Sequence, residues 1–142
     1  MTLYSDTMRM LSLERLRHLH DLIEKEMLPR WRAMAQVWRG NNRTAPIYAL
    51  RVVKRNVVYS IFWEHMVFYT KPGTNRRQGR RSGTLARGTS WQYERKVFKH
   101  ADDSQWEHIQ SIEKEAGPLR REMAEIERVL EILRVFERDK PW

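Results

Sequence analysis

From Ser12 to about Arg39, the apolar residues Leu16, Leu19, Ile23, Met27, Trp31, Met34 and Trp38 recur at steps of three and four, which predicts one face of an amphipathic helix. Pro29 lies inside that run; it lacks a backbone donor and clashes with the carbonyl four residues back, so a kink or short break is expected after Leu28. Gly40, Asn41 and Asn42 supply a stop, because both residue types tolerate the left-handed conformation that ends helices. From Pro46 the period changes to two. The runs IYALRVVKR and VVYSIFWEHMVFY are rich in β-branched and aromatic residues, with Lys54, Arg55 and Asn56 placed for a tight turn between antiparallel strands. In the second run Tyr59, Ile61, Trp63, His65, Val67 and Tyr69 share one face, and Val58, Ser60, Phe62, Glu64, Met66 and Phe68 the other; one face is expected against the helices.

A third alternating run, TSWQYERKVFK, sets Trp91, Tyr93, Arg95 and Val97 against Gln92, Glu94, Lys96 and Phe98, and pairs most simply with the second strand. Beyond it, Ser104 and Glu107 have the spacing of a capping box, and Asp102 and Asp103 suit the positive end of a helix. Ile109, Ile112, Ala116, Leu119, Met123, Ile126, Leu130 and Leu133 then form a heptad seam that keeps phase across Gly117 and Pro118, predicting a kinked but continuous rod ending near Arg138, with Pro141 and Trp142 as a short tail. If the two long helices fold back on each other, facing positions have numbers adding to about 145, which sets Pro29 close to Gly117 and Pro118.

The expected fold is α+β: two long antiparallel, kinked, coiled-coil-like helices bracketing a small three-stranded antiparallel β-meander with a long Arg/Gly-rich loop. One domain is expected over residues 1–142, with 1–45 and 101–142 as helical stalk arms and 46–100 as a β head.

Charge changes the picture by region. Residues 1–45 carry 8 basic and 5 acidic side chains, residues 46–100 carry 12 and 2, and residues 101–142 carry 7 and 11, so the middle supplies more than the whole excess of +9. Within it, KPGTNRRQGRRSGTLARG (71–88) holds six basic residues, four of the six glycines and no carboxylate, and is expected to be a mobile loop awaiting an anion. Its preference for arginine favours forked contact with phosphate oxygens or a guanine edge. The bland alternative is a solvated loop between strands. The absence of cysteine excludes disulfides and thiol chemistry. Without a basic n-region followed by an apolar run, or 18 consecutive apolar residues, neither a signal peptide nor a membrane span is expected and the location is read as cytoplasmic.

Catalytic constellations are thin. Glu64, Glu94, His65 and His100 make a weak metal-nuclease set, Tyr93 beside Arg95 a weaker nucleophile, and His100 with Asp102, Asp103 and His108 a metal set whose acids already have a capping role. His18 and His20 point about 200° apart on a helix and make no metal pair. No enzyme, metal or cofactor is expected. Nucleic-acid binding uses what is there: Lys54, Arg55, Lys71, Arg76, Arg77, Arg80, Arg81 and Arg87 neutralise phosphates, with Arg95, Lys96 and Lys99 extending the surface. A two-stranded ribbon fits a major groove, and exposed Trp63, Trp91 or Tyr93 would stack on unpaired bases, though core packing explains those rings as well.

This layout of amphipathic helix, hairpin LRVVKRNVVYSIFWEHMVFY, Arg/Gly segment, WQYERKVF and heptad helix, with Arg51, Tyr59, Trp63 and Tyr93 in the strand runs, resembles the auxiliary mobilisation proteins of MobI type found on conjugative plasmids and integrative elements. The resemblance implies a DNA-transfer factor that helps a relaxase at the origin of transfer, itself not a catalyst, and it carries over no catalytic residue. The partners expected are therefore DNA, duplex or single-stranded, a relaxase or other transfer protein, and a second copy through the helices. An interaction adaptor built on the helix that carries Arg120, Arg121, Arg128 and Arg134, or an RNA-binding protein, are the alternatives.

Overall fold

The computed structural model describes residues 3–42 and 46–138; the expected tail at Pro141 and Trp142 lies outside them. The element order is α1 (Leu3–Leu22), a π-helical turn (Ile23–Met27), α2 (Leu28–Asn41), β1 (Tyr48–Arg55), β2 (Val58–Thr70), β3 (Arg77–Thr84), a 3-10 turn (Arg95–Val97) and α3 (Asp103–Arg138). The first helix thus begins nine residues before the apolar period does.

The interruption expected at Pro29 is a π turn just before it, closed by the Leu28 N–H donating to the Ile23 carbonyl. The apolar steps show why. Leu19, Ile23, Met27 and Trp31 are three successive steps of four, each overshooting a straight helical stripe by about 40°, and one inserted residue absorbs about 100° of that drift. The turn keeps Leu19, Ile23 and Trp31 all buried on one side. At the far end Gly40 stays helical. Asn42, extended rather than left-handed, closes α2 with its side-chain amide donating to the Trp38 carbonyl at 2.6 Å.

α3 runs unbroken through Gly117 and Pro118. Its cap is Asp102, whose carboxylate accepts from the Gln105 N–H at 2.7 Å. Ser104, expected to cap, instead accepts from the Trp38 indole at 3.0 Å. The antiparallel helix register holds at three heights. Arg9 meets Glu137 at 2.6 Å, Arg30 and the Trp31 indole both donate to Glu115, and Trp38 stacks on His108.

The sheet order is β1-β2-β3, antiparallel throughout. β1 and β2 pair as expected through the two-residue turn Asn56–Val57, where Asn56 takes a positive φ of 54°. The third strand is not the one expected. It is the Arg/Gly segment, and the notion of residues 71–88 as a long open loop is corrected: Lys71-Pro72-Gly73-Thr74 form a type II turn, with Gly73 at φ 79° and the Thr74 N–H donating to the Lys71 carbonyl at 3.1 Å. Thr89–Lys99 is an irregular linker despite its alternation. Its backbone is committed elsewhere, the Tyr93 N–H to the Glu113 carboxylate at 2.7 Å and the Val97 and Phe98 N–H groups to a tight turn.

The core lies between the helix pair, the inner sheet face and this linker. Ile61 and Trp63 from β2 meet Ile109, Ile112 and Ala116 from α3, and Phe98 sets its ring edge-on to Trp63 and Tyr48. The sheet therefore lies along the middle of α3, not beyond the tip of a stalk. Among the described residues no helix is long and apolar enough to cross a membrane.

Candidate nucleic-acid interface

β2 is long because it has two jobs. Val58–His65 pairs with β1 above the core, whereas Met66–Thr70 pairs with Arg77–Arg81 of β3, beyond the end of β1. The result is a two-stranded ribbon closed by the Pro72–Gly73 turn. A β-bulge between His65 and Met66 marks where it leaves the body of the sheet, with Ser82 as the extra residue.

Strand register assigns each cation a face. Arg51 and Arg55 of β1 and Arg77 and Arg81 of β3 share the outer face, away from the helices, with Phe62, Glu64, Met66 and Phe68 of β2 between them. The Arg55 guanidinium lies 5.6 Å from the Phe62 ring centre and that of Arg77 5.3 Å from Phe68. Gly79 faces Phe68 across the ribbon, and a Cβ there would stand 2.9 Å from the ring, so glycine lets Phe68 lie flat across the strand. Arg80, one residue out of phase, faces the other way beside Val67 and Tyr69. The ribbon thus presents cations on both faces.

Glu64 sits in the middle of the outer row, its carboxylate 3.2 Å from Arg81 and 3.8 Å from Arg51. It is almost fully buried and one oxygen accepts no hydrogen bond. Among the described residues, no carboxylate lies within ion-pair distance of Lys54, Arg55, Lys71, Arg76, Arg77 or Arg80, all exposed.

The remaining sequence-predicted cations fall elsewhere. Lys54 and Arg55 flank the β1–β2 turn, about 12 residues or roughly 40 Å along β2 from Arg77. Arg87 is half-buried in the linker, donating to the Ser90 carbonyl at 2.5 Å and covering the Trp91 ring; burial, then the nearby Arg120, hold its pKa below the ordinary arginine value. Arg95 is paired with Asp103, and Lys96 with Glu94 at 3.0 Å. Arg51 was missed, although it has the same strand parity as Arg55 and shares its face. The hairpin was missed too, although Pro-Gly after a β-run is a turn signal.

Trp63 and Tyr93, considered as stacking platforms, are core residues. Both attach to a buried ion pair on α3. Arg120 donates to both oxygens of Glu113, at 2.7 and 2.8 Å, to the Ile61 carbonyl at 2.8 Å and to the Trp91 carbonyl at 2.9 Å. Glu113 also accepts from the Trp63 indole at 2.9 Å and from the Tyr93 N–H. Strand, linker and helix are thereby joined at one point. Arg120, one of the helix arginines of the alternative adaptor reading, is buried. The Tyr93 hydroxyl donates to the Leu85 carbonyl at 3.0 Å, and burial pushes its pKa up, which opposes the phenolate that nucleophilic attack needs. The candidate metal set does not assemble: among the described residues no three His, Asp or Glu side chains are placed to hold an ion.

No curated protein and no solved structure matches the chain. A family model described as MobI protein matches residues 23–134, from the π turn to the last turns of α3, and takes in the hairpin, the ribbon and the Glu113–Arg120 pair. The chain belongs to the MobI family of mobilisation proteins.

Proposed function

We propose that this mobilisation protein is a non-catalytic DNA-binding accessory factor, whose arginine ribbon docks on the duplex where a relaxase acts at the origin of transfer. The observation that carries this reading is the ribbon itself: exposed Arg76, Arg77 and Arg80 at the end of two paired strands, with no carboxylate partner among the described residues. A two-stranded ribbon has the width of a major groove, and cations on both of its faces reach the phosphates of both walls. The outer row from Arg77 through Arg81 and Arg51 to Arg55 spans roughly 40 Å, a little over one turn of duplex. Fluorescence anisotropy titrations of duplex DNA, single-stranded DNA and RNA of matched length test it. Tightest binding to duplex, falling steeply with salt, is expected; no binding at low salt refutes it, and a preference for RNA replaces DNA as the target.

A second reading, self-association through the helices, is favoured by an apolar surface on α1. Leu3 and Met10, and beside them Tyr4 and Leu11, repeat at seven residues and are all more than half exposed. Two adjacent heptad columns suit a helix of a second copy. Sedimentation showing a dimer that Leu11→Glu dissociates supports this reading, and a monomer at high concentration removes it.

A further inference from the structure

At the root of the ribbon, on the side opposite the outer arginine row, a pocket of about 350 Å³ is lined by Tyr48, His65, Ser82, Thr84, Lys99 and His100. Four chain segments, β1, β2, the end of β3 and the linker, meet there beside the bulge at Ser82. The rings of His65 and His100 lie 6.3 Å apart, and the Tyr48 hydroxyl holds the linker in place by accepting the His100 N–H at 3.1 Å. Among the described residues no carboxylate lines the pocket. Acids on the adjoining elements are committed elsewhere: Glu64 faces the outer row, Glu94 pairs with Lys96, Asp102 caps α3 and Asp103 pairs with Arg95.

We propose that this pocket is a phosphate-binding site. Ser82 makes two contacts, 2.8 Å to His65 Nδ1 and 3.3 Å to the His65 carbonyl. A hydroxyl has one hydrogen, and both contacts are satisfied when it serves the carbonyl while Nδ1–H donates to Oγ. The Lys99 ammonium supplies the charge, and the hydroxyls of Ser82 and Thr84 with the two imidazole rings supply hydrogen-bonding groups around it. The ligand is a phosphate oxygen group. Its source is a backbone phosphodiester of bound nucleic acid, a step that rests on the function proposed above, or free inorganic phosphate.

Imidazole resonances of His65 and His100, followed by NMR in the full chain as inorganic phosphate is added at about pH 6, test the site without any nucleic acid. Saturable shifts of both rings, weakened several-fold in Lys99→Ala, are expected, and in His100→Gln the remaining His65 shift weakens likewise. Rings that do not move, or that move equally in Lys99→Ala, overturn the site. DNA affinity then separates the sources. If a backbone phosphate occupies the pocket, Lys99→Ala combined with His100→Gln weakens duplex binding roughly tenfold at fixed pH and salt. If DNA affinity is unchanged in that double variant while inorganic phosphate still moves the rings of the parent chain, free phosphate is the ligand.

Discussion

Cations of similar promise in the sequence fall into two sets in the structure, and the division gives a quantitative test. Arg76, Arg77 and Arg80 are exposed on the ribbon without carboxylate partners among the described residues, whereas Arg87, Arg95 and Lys96 are engaged within the molecule. Each phosphate neutralised contributes about 0.9 to the slope of log K against log salt, so replacing the three ribbon arginines by alanine flattens the slope by roughly 2.7. At about 0.1 M salt that corresponds to a ceiling of a few hundredfold in affinity if each residue makes one phosphate contact. Replacing Arg87, Arg95 and Lys96 together changes the net charge by the same amount. It flattens the slope by less than about 1, because these groups already hold partners. Anisotropy titrations of a short duplex at four or five salt concentrations read both slopes, and circular dichroism checks that both variants remain folded. Equal slopes for the two triple variants would show that only overall charge matters and would refute the assignment to the ribbon.

Further predictions concern the framework that holds the ribbon. Arg120→Met strands a buried carboxylate and costs about 3–5 kcal/mol, whereas adding Glu113→Gln recovers part of the loss; thermal melts of the two singles and the double read this non-additivity. Gly117 is buried where a Cβ would stand 2.5 Å from Cγ of Gln92, so Gly117→Ala gains little alone but stabilises by about 0.5–1 kcal/mol once Gln92→Ala has cleared the space. A Gly117→Ala gain of the same size in both backgrounds would contradict the crowding. His108 is held below the ordinary histidine pKa by burial, and His20 by burial first and then by Lys54. The unfolded chain therefore takes up protons first, so stability is retained above about pH 6.5 and lost as the pH falls below it. His108→Phe, which keeps a ring on Trp38, flattens that decline, and urea midpoints from about pH 5 to 8 measure it.

The helices and the first hairpin were legible because their signals are local. Apolar spacing alone places Leu16 to Trp38 and Ile109 to Leu133, and the step-of-four run from Leu19 to Trp31 already contains the π turn. The third strand was misplaced because two segments competed for one edge of β2. Trp91, Tyr93 and Val97 alternate well, while Arg77 to Thr84 has glycines and charges of low strand propensity. Tertiary bonding decided the contest: Glu113 claims the Tyr93 N–H, and Gly79 makes the Arg segment narrow enough for Phe68 to lie across it. Arg120 was grouped with the other arginines of the last helix, and Glu113 was not singled out. Their spacing of seven puts both beside the apolar seam, but nothing in the sequence distinguishes a buried pair there from a surface one.

The tie between Arg120 and the carbonyls of Ile61 and Trp91 also orders events during synthesis. The hairpin and the ribbon are contiguous in the chain and can pair as soon as residue 84 is clear of the ribosome. Trp63, Tyr93 and Phe98, by contrast, lack the wall of Ile109, Ile112 and Ala116 until the third helix has emerged some forty residues later. A nascent chain paused in that interval holds a formed, positively charged ribbon on an open apolar base, so the stretch from 85 to 120 sets how long the protein stays exposed to aggregation before it can bind anything.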